Sequence, residues 1–255
     1  MRNYLYHALT HFRPAFSRQR TYLVFCTLVL GFLGSTEMTG VTSFCRYWIA
    51  GTSDYHSFLR FFRSTAYSLE QLLFFWSSFV LSEAPMPTSK SGRLILFGDH
   101  TFTPKDGRRI PGVVSIRQQS ETQTKPSYFR GHCWGAIGLC VGSVAAPFCL
   151  PLAIQLHQGF RHLRQNDSKE THKQTMGSRL VQMALTFAHD NDKPSVLVLD
   201  AFFSVGSVFR QASALWSTQL KQPFVSIIVR AKKNYVAYFS VIPPQQKPVA
   251  LASMG

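Results

Sequence analysis

The fold is decided by the stretch RLILFGDHTFTPKDGRRIPGVVSIRQQSETQTKPSYFRGHCWG, residues 93–135, which joins a strand pattern to an acidic residue and then to a run of cations. The apolar run from Leu94 to Phe97 is closed by Gly98 and predicts a strand that is covered on both faces of an α/β sheet. Ligands of such sheets bind at the carboxyl ends of the strands. We therefore expect Asp99, which ends this strand, to lie at a ligand site.

A second apolar run with the same ending occurs later in the chain. Ser195 to Leu199 predicts another buried strand, and Asp200 follows it directly. If the two strands are neighbours, their aspartates converge and can share a divalent metal ion through hard oxygen ligands. The alternative interpretation is that each aspartate caps a turn or a helix. A pair of such residues favours the metal site more than a single one does.

Several short motifs surround Asp99. They are PKDGRRIPGV at 104–113, QSE at 119–121, KP at 125–126 and GH at 131–132. Together they resemble the region around the first catalytic aspartate of bacterial insertion-sequence transposases of the DDE superfamily. The resemblance extends, in weaker form, from about residue 20 to Asp200 and to residues 230–234, so it covers most of the chain.

The resemblance implies a nuclease core with the ribonuclease H fold. Transposases of this superfamily use two Asp and one Glu to hold two divalent ions. They hydrolyse DNA at the transposon ends and then transfer the strand into target DNA. By this resemblance Asp99 and Asp200 are the catalytic and metal-ligating residues, and Mg²⁺ or Mn²⁺ is the cofactor.

The third acid of that set is missing from its usual place. In the transposases the Glu follows the second Asp on a later helix, whereas no Asp or Glu follows Asp200 in this sequence. Three other acids offer the same chemistry, and their order along the chain argues against each of them: Glu121, Asp190 and Asp192. We therefore expect a core that is truncated at its C-terminus, and that binds DNA but cleaves it poorly or not at all.

The composition predicts a polyanionic partner. The chain has 27 Lys and Arg against 12 Asp and Glu, which gives a formal net charge of +15. Such an excess attracts nucleic acid or an anionic membrane surface, and the charge alone does not choose between them. Five cysteines without a CxxC pair indicate neither a zinc knuckle nor a disulfide framework.

The cations are concentrated beside the first aspartate. Residues 103–130 form a polar, basic segment, and such a segment suits a phosphodiester substrate because its cations hold the backbone of the nucleic acid. The alternative is a solvated β-hairpin. The expected DNA-binding residues lie in this segment, directly after it and beyond the last predicted strand: Lys105, Arg108, Arg109, Arg117, Lys125, Arg130, His132, Arg230, Lys232 and Lys233.

The chain divides near Glu83 to Gly92, where two prolines with Ser, Thr and Gly cannot continue a helix. Residues 1–84 are predicted to form a helical, DNA-binding region. Residues 93–242 are predicted to form a partial ribonuclease-H-like core, followed by an irregular tail at 243–255. The helical region carries arginines that suit phosphate contacts, although a solvated face explains them equally well: Arg46, Arg60 and Arg63.

The predicted fold class is α/β, with a ribonuclease-H-like mixed sheet that is flanked by helices and preceded by a small all-helical N-terminal domain. The uncharged run 133–156 predicts two buried strands, the second and third of the sheet, with a turn near Ser143 to Pro147. The later elements are predicted in chain order: a helix over 172–189 with Arg179 exposed, a helix over 201–220 and a strand over 224–229.

A small basic membrane protein is the competing interpretation, with spans near 21–36, 71–82 and 133–156. It accounts for the apolar runs and their basic flanks, but not for two apolar strands that end in aspartates. A non-enzymatic DNA-binding remnant is a third interpretation. We expect double-stranded DNA as the partner, a cytoplasmic and nucleoid-associated location, and no stable membrane association, and we leave a homo-oligomer open.

Overall fold

The computed structural model describes residues 2–36, 40–48, 51–85, 92–105, 110–117, 128–157, 175–217 and 221–231. Within these ranges the side chains of residues 2, 52, 53, 116, 117 and 129 are not described. The described part contains seven α-helices and two short 3-10 turns, at Arg13–Ala15 and Ala201–Phe203. The helices are α1 Arg2–His11, α2 Gln19–Gly34, α3 Val41–Tyr47, α4 Thr52–Phe61, α5 Leu69–Glu83, α6 Met176–Asp190 and α7 Gly206–Ala212.

Six strands of the described part form one mixed sheet, and two more form a small ribbon. The strands are β1 Leu94–Pro104, β2 Val114–Arg117, β3 Tyr128–Gly142, β4 Pro147–His157, β5 Ser195–Leu199, β6 Trp216–Ser217, β7 Gln222–Pro223 and β8 Val225–Val229. β6 and β7 make up the ribbon.

The sheet is built around β1. This strand pairs antiparallel with β3 on one side and parallel with β5 on the other, and β8 lies beyond β5 in parallel. β2 and β4 pair antiparallel with different parts of β3. Three antiparallel strands followed by two parallel ones give the order β4, β3, β1, β5, β8. This order confirms the predicted mixed α/β fold with a ribonuclease-H-like sheet and a helical region before it.

One face of the sheet carries the main core. Alternate residues of β1 and β5, among them Leu96 and Leu197, are fully buried there. They pack against the apolar side of α6, which includes Leu180 and Val181. α6 begins where Thr175 accepts a hydrogen bond from the Ser178 N–H, so a side-chain cap sets its start over the sheet. The strands bury every second residue, and α6 buries one side, because side chains repeat every two residues along a strand and every 3.6 residues along a helix.

The helical region has its own aromatic cluster, and α5 joins it to the sheet. Phe16, Phe44 and Phe61 are buried in this cluster. α5 contributes residues to the helical cluster and also packs Val80 into the core of the sheet. The indole Nε1 of Trp76 donates a hydrogen bond to a carbonyl oxygen of β4 at 2.7 Å. The predicted helical character of this region is therefore observed, while the division into domains at residue 84 stays a prediction.

Several predictions about individual elements were wrong. Residues 201–220 do not form one helix, because a 3-10 turn and the short helix α7 are followed by β6. The predicted exposed Arg179 is half-buried, since its guanidinium donates to the Leu156 carbonyl oxygen at 2.8 Å. Residues 133–156 do form two strands, as expected, but most of β4 is exposed because β4 lies at an edge of the sheet.

The structure does not favour the spans of the competing membrane interpretation. The run 133–156 is strand rather than helix, and α2 and α5 are 16 and 15 residues long. None of the helices in the described ranges combines the length and the apolar character that a membrane crossing requires.

Candidate active site

Asp99 lies inside β1 and not at its end. The strand continues to Pro104 because it keeps its antiparallel partner β3 after the parallel partner β5 has stopped. The expectation that Asp99 closes the strand was therefore wrong. It does lie at the carboxyl end of the parallel pair, since the last paired residues of β1 and β5 are Gly98 and Leu199.

Asp200 takes the position beside Asp99. Because Gly98 and Leu199 are register partners on strands about 4.8 Å apart, the register places the next residues, Asp99 of β1 and Asp200 directly after β5, side by side. Asp200 keeps extended backbone angles, φ −70° and ψ 161°, so the alternation of faces continues through it. Gly98 and Leu199 face the core, and both aspartates are exposed on the opposite face.

The Asp99 carboxylate is open to solvent, whereas the side chain of the next residue, His100, is largely buried. The Asp99 side chain is 81% exposed, and one of its oxygens accepts a hydrogen bond from the His100 backbone N–H at 2.7 Å. The His100 side chain is only 15% exposed and packs against the rings of Phe102, Phe202 and Phe203. Burial lowers the pKa of His100, and the charges of the two aspartates oppose that shift. The imidazole thus lies on the core side of the site.

Arg230 directly follows β8, as Asp200 directly follows β5. Leu199 and Val229 are the last register partners of β5 and β8, so Asp200 and Arg230 continue that register by one residue. Arg230 is exposed. The register therefore places Asp99, Asp200 and Arg230 in a row at the carboxyl edge of the three parallel strands. The two aspartates can bind a cation, and the arginine can bind a phosphate.

Three of the predicted DNA-binding residues extend this row along the arm formed by β1 and β3. The backbone N–H of Lys105 donates to the carbonyl oxygen of Arg130 at 3.1 Å, and His132 pairs with Thr103. By strand alternation Arg130 and His132 share a face with the register partner of Asp99, Ala136. The imidazole Nε2 of His132 lies 2.9 Å from a backbone carbonyl oxygen in the segment before β2. His132, Arg130 and Lys105 therefore do not surround the aspartates; they lie along β1 and β3 at increasing distance from Asp99.

The side chains of the remaining predicted DNA-binding residues lie outside the described part of the structure. The backbone of Arg117 ends β2, which pairs with the arm, and its side chain is outside the described residues. The other predicted DNA contacts lie wholly outside the described residues: Arg108, Arg109, Lys125, Lys232 and Lys233.

No third acid joins the aspartate pair within the described ranges, which hold no group of three or more His, Cys, Asp or Glu side chains arranged to bind a metal. Asp190 and Asp192 lie at the C-terminal end of α6 and directly after it, before β5 begins. They are therefore at the opposite end of β5 from Asp200. Glu121 is outside the described residues.

One pair of neighbouring arginines in the helical region was not predicted from the sequence. Arg20 of α2 and Arg60 of α4 line the same small pocket. The sequence interpretation noted Arg60 but not its partner, because apolar periodicity within each helix does not reveal which helices are neighbours.

Comparison with known proteins agrees with the arrangement of the sheet. A family model described as DDE superfamily endonuclease matches residues 11–250. Among curated proteins, none matches this chain. The matched range begins at the last residue of α1 and includes the rest of the helical region, all eight described strands and both aspartates. The chain belongs to the DDE superfamily endonuclease family.

Proposed function

We propose that this chain is the DNA-binding part of a transposase-type nuclease, in which Asp99 and Asp200 bind one divalent metal ion and a basic face holds double-stranded DNA. The observation that carries the proposal is the register of β1 and β5, which sets the two exposed carboxylates side by side at the carboxyl edge of the sheet. The insertion-sequence motifs at residues 104–132 support a bacterial insertion sequence as the origin of the chain.

The donor set fits Mg²⁺ or Mn²⁺. Both side chains supply hard oxygen ligands, and Mg²⁺ is commonly held by one or two carboxylates together with substrate phosphates and water. The exposure of Asp99 leaves room for those further ligands. Metal ions of this kind, when bound, polarise a phosphoryl oxygen and lower the pKa of bound water.

The residues of the chain itself bind and orient the substrate. The Asp99 carboxylate is held by the His100 N–H, which fixes its direction relative to the strand. The Arg230 guanidinium, one strand away from Asp200, suits a phosphate of the same backbone because a guanidinium binds phosphate through paired N–H donors. Lys105 and Arg130 continue the positive face along β1 and β3 and support contacts with phosphates further along the duplex.

Cleavage by this chain alone is proposed to be slow or absent. Two-metal hydrolysis stabilises both the attacking and the leaving oxygen, and two carboxylates are too few to hold two ions firmly. No Asp or Glu follows Asp200 in these 255 residues. DNA binding does not need the third acid, because it depends on the cations and not on the metal.

A binding assay and a nicking assay on the full chain test the proposal. We expect labelled duplex DNA to bind with an affinity that falls steeply with salt, and supercoiled plasmid to stay largely intact in Mg²⁺ or Mn²⁺. Lys105→Ala and Arg130→Ala should weaken binding more than Arg210→Ala, which removes the same charge from exposed α7. DNA binding that is insensitive to salt would contradict the proposed partner. Robust nicking that Asp99→Ala abolishes would contradict the proposed limit on activity.

A further inference from the structure

The helical region contains a small pocket whose polar lining is made of cations and hydroxyl groups. It has a volume of about 180 Å³ and lies between the first turn of α2 and the second half of α4. Arg20 and Arg60 line it together with the hydroxyl-bearing residues Thr21, Ser57 and Ser64. Among the described residues, no carboxylate lines this pocket. The lining therefore offers donors for an anion and no competing charge.

The floor of the pocket is apolar and rigid. Phe61 is 8% exposed and belongs to the buried aromatic cluster of the helical region, and Val24 packs against the same cluster. Arg20 and Arg60 line the pocket and are both exposed, so their guanidinium groups are accessible from solvent. The pocket is thus held by packed helices, and not by a loop.

Several other arginines of the described chain have structural partners, which these two do not have. The guanidinium of Arg13 donates to the Phe16 carbonyl oxygen at 2.7 Å and lies over the Tyr22 ring. Arg93 donates to three carbonyl oxygens. Within the described residues, no ion pair or side-chain hydrogen bond occupies Arg20 or Arg60. Their charges are therefore available to a ligand.

A second pocket adjoins the first. It has a volume of about 200 Å³, shares Arg60 and adds Arg63 and His56. His56, Arg60 and Arg63 are spaced by four and three residues, so they lie on one side of the helix and of the turn that ends it. Arg63 thus adds a further cation beside Arg60, and nucleic-acid phosphates are bound by such neighbouring cations.

We propose that the pocket between Arg20 and Arg60 binds a phosphate group. Two guanidinium groups and neighbouring hydroxyls are the donors that proteins use for phosphate oxygens. The group belongs either to a nucleic-acid backbone or to a free phosphate, and both share this chemistry. In the first case the proposal rests on the DNA-binding function above and adds a second contact region, on α2 and α4, to the one on the sheet.

The test uses the full chain as wild type, Arg20→Ala, Arg60→Ala and the control Arg210→Ala. One arm measures the affinity for a labelled DNA duplex at several salt concentrations. The other arm measures the shift in melting temperature that inorganic phosphate causes, relative to chloride at the same ionic strength. Circular dichroism checks that each variant is folded.

If the ligand is a backbone phosphate, we expect each pocket variant to bind the duplex about tenfold more weakly, which is the usual cost of losing one charged hydrogen bond. The control Arg210→Ala should lose clearly less affinity. The slope of log affinity against log salt should fall by about 0.9 for the one lost phosphate. If inorganic phosphate stabilises the wild type but neither pocket variant, and duplex binding is unchanged, the ligand is a free phosphate.

The proposal is wrong if the pocket variants lose no more duplex affinity than Arg210→Ala and inorganic phosphate stabilises the wild type no more than chloride does. This result is independent of the aspartate site, because neither arm contains a divalent metal. Failure of Asp99 and Asp200 to bind a metal would therefore remove the proposed nuclease site without changing the interpretation of the pocket.

Discussion

Gly98 of β1 lies beside Leu199 of β5 in parallel register, and a Cβ atom on Gly98 would come within 2.6 Å of the Leu199 side chain. Leu199 is 4% exposed and belongs to the core of the sheet. We therefore expect Gly98→Ala to lower the free energy of unfolding by about 1–3 kcal/mol, the usual cost of overpacking a core. Urea unfolding measures this change.

Gly98 and Leu199 directly precede the two aspartates, so a shift of either backbone in Gly98→Ala should also weaken metal binding. The double variant Gly98→Ala with Leu199→Ala relieves the clash and should recover part of the lost metal affinity. Gly206→Ala is the matched control, because a Cβ there meets no atom within 4 Å. If Gly98→Ala and Gly206→Ala are equally stable, the tight packing of β1 against β5 is not as described.

Arg93 joins the starts of the three parallel strands. Its side chain is 3% exposed and donates to the carbonyl oxygens of Ser195, Pro223 and Phe224 at 2.7–3.3 Å. Arg93→Met leaves these acceptors without a charged donor, and we expect a loss of about 3 kcal/mol in the free energy of unfolding. Arg210→Met, on the exposed side of α7, should cost less than about 0.5 kcal/mol. Equal values in chemical denaturation would count against the role of Arg93.

The hydrogen bond from Trp76 to Pro151 joins α5 to β4. Trp76→Phe removes the donor and should cost about 1 kcal/mol, the usual net value of one hydrogen bond. Amide hydrogen exchange along α5 should become faster. Trp48→Phe is the control, since its indole donates to Thr27 inside the helical region. If both variants change the amide hydrogen exchange of α5 equally, the hydrogen bond from Trp76 to Pro151 does not hold the helix to the sheet.

His157 makes the stability depend on pH. It is 7% exposed, and burial lowers the pKa of His157 below its usual 6.5, with Arg179 and His100 acting in the same direction. The unfolded chain then takes up the proton more readily than the folded chain, so the free energy of unfolding falls as the pH drops below 6.5 and levels off below the lowered pKa. Above 6.5 both states are neutral and this contribution is constant.

Urea unfolding at about pH 7.5 and about pH 5.5 measures the effect, which reaches at most about 1.4 kcal/mol per pH unit for one group. His157→Gln should lose less stability between these values than the wild type. A smaller loss remains in the variant, because burial also lowers the pKa of His100. An unchanged pH dependence in His157→Gln would show that His157 is not responsible.

The sequence predicted which segments form the strands of the sheet better than it predicted where those strands end. Apolar runs identified β1, β5 and β8 because buried parallel strands are almost continuously apolar. The pattern after Gly98 alternates, with exposed Thr101 and Thr103 around half-buried Phe102, and this marks the antiparallel continuation of β1 that the prediction omitted. Short elements such as α7 and β6 depend on tertiary packing, which local patterns do not encode.

The site was predicted by residue type but not by geometry. Two aspartates after apolar strands indicated the pair, yet only the register of β1 with β5 shows that Asp99 and Asp200 are neighbours. Sequence separation hides such contacts because strand pairing joins distant segments. The pocket of Arg20 and Arg60 was missed for the same reason, since it depends on the contact between α2 and α4.

A calorimetric titration of Mn²⁺ into the purified full chain tests the central claim most directly. The samples are the wild type, Asp99→Asn, Asp200→Asn and Asp190→Asn, the last as a control at the opposite end of β5. We predict that the wild type and Asp190→Asn bind one ion, and that each of the other two variants loses that binding. Mn²⁺ binding that survives both Asp99→Asn and Asp200→Asn, or a wild type that binds no ion, would contradict a metal site shared by the two aspartates.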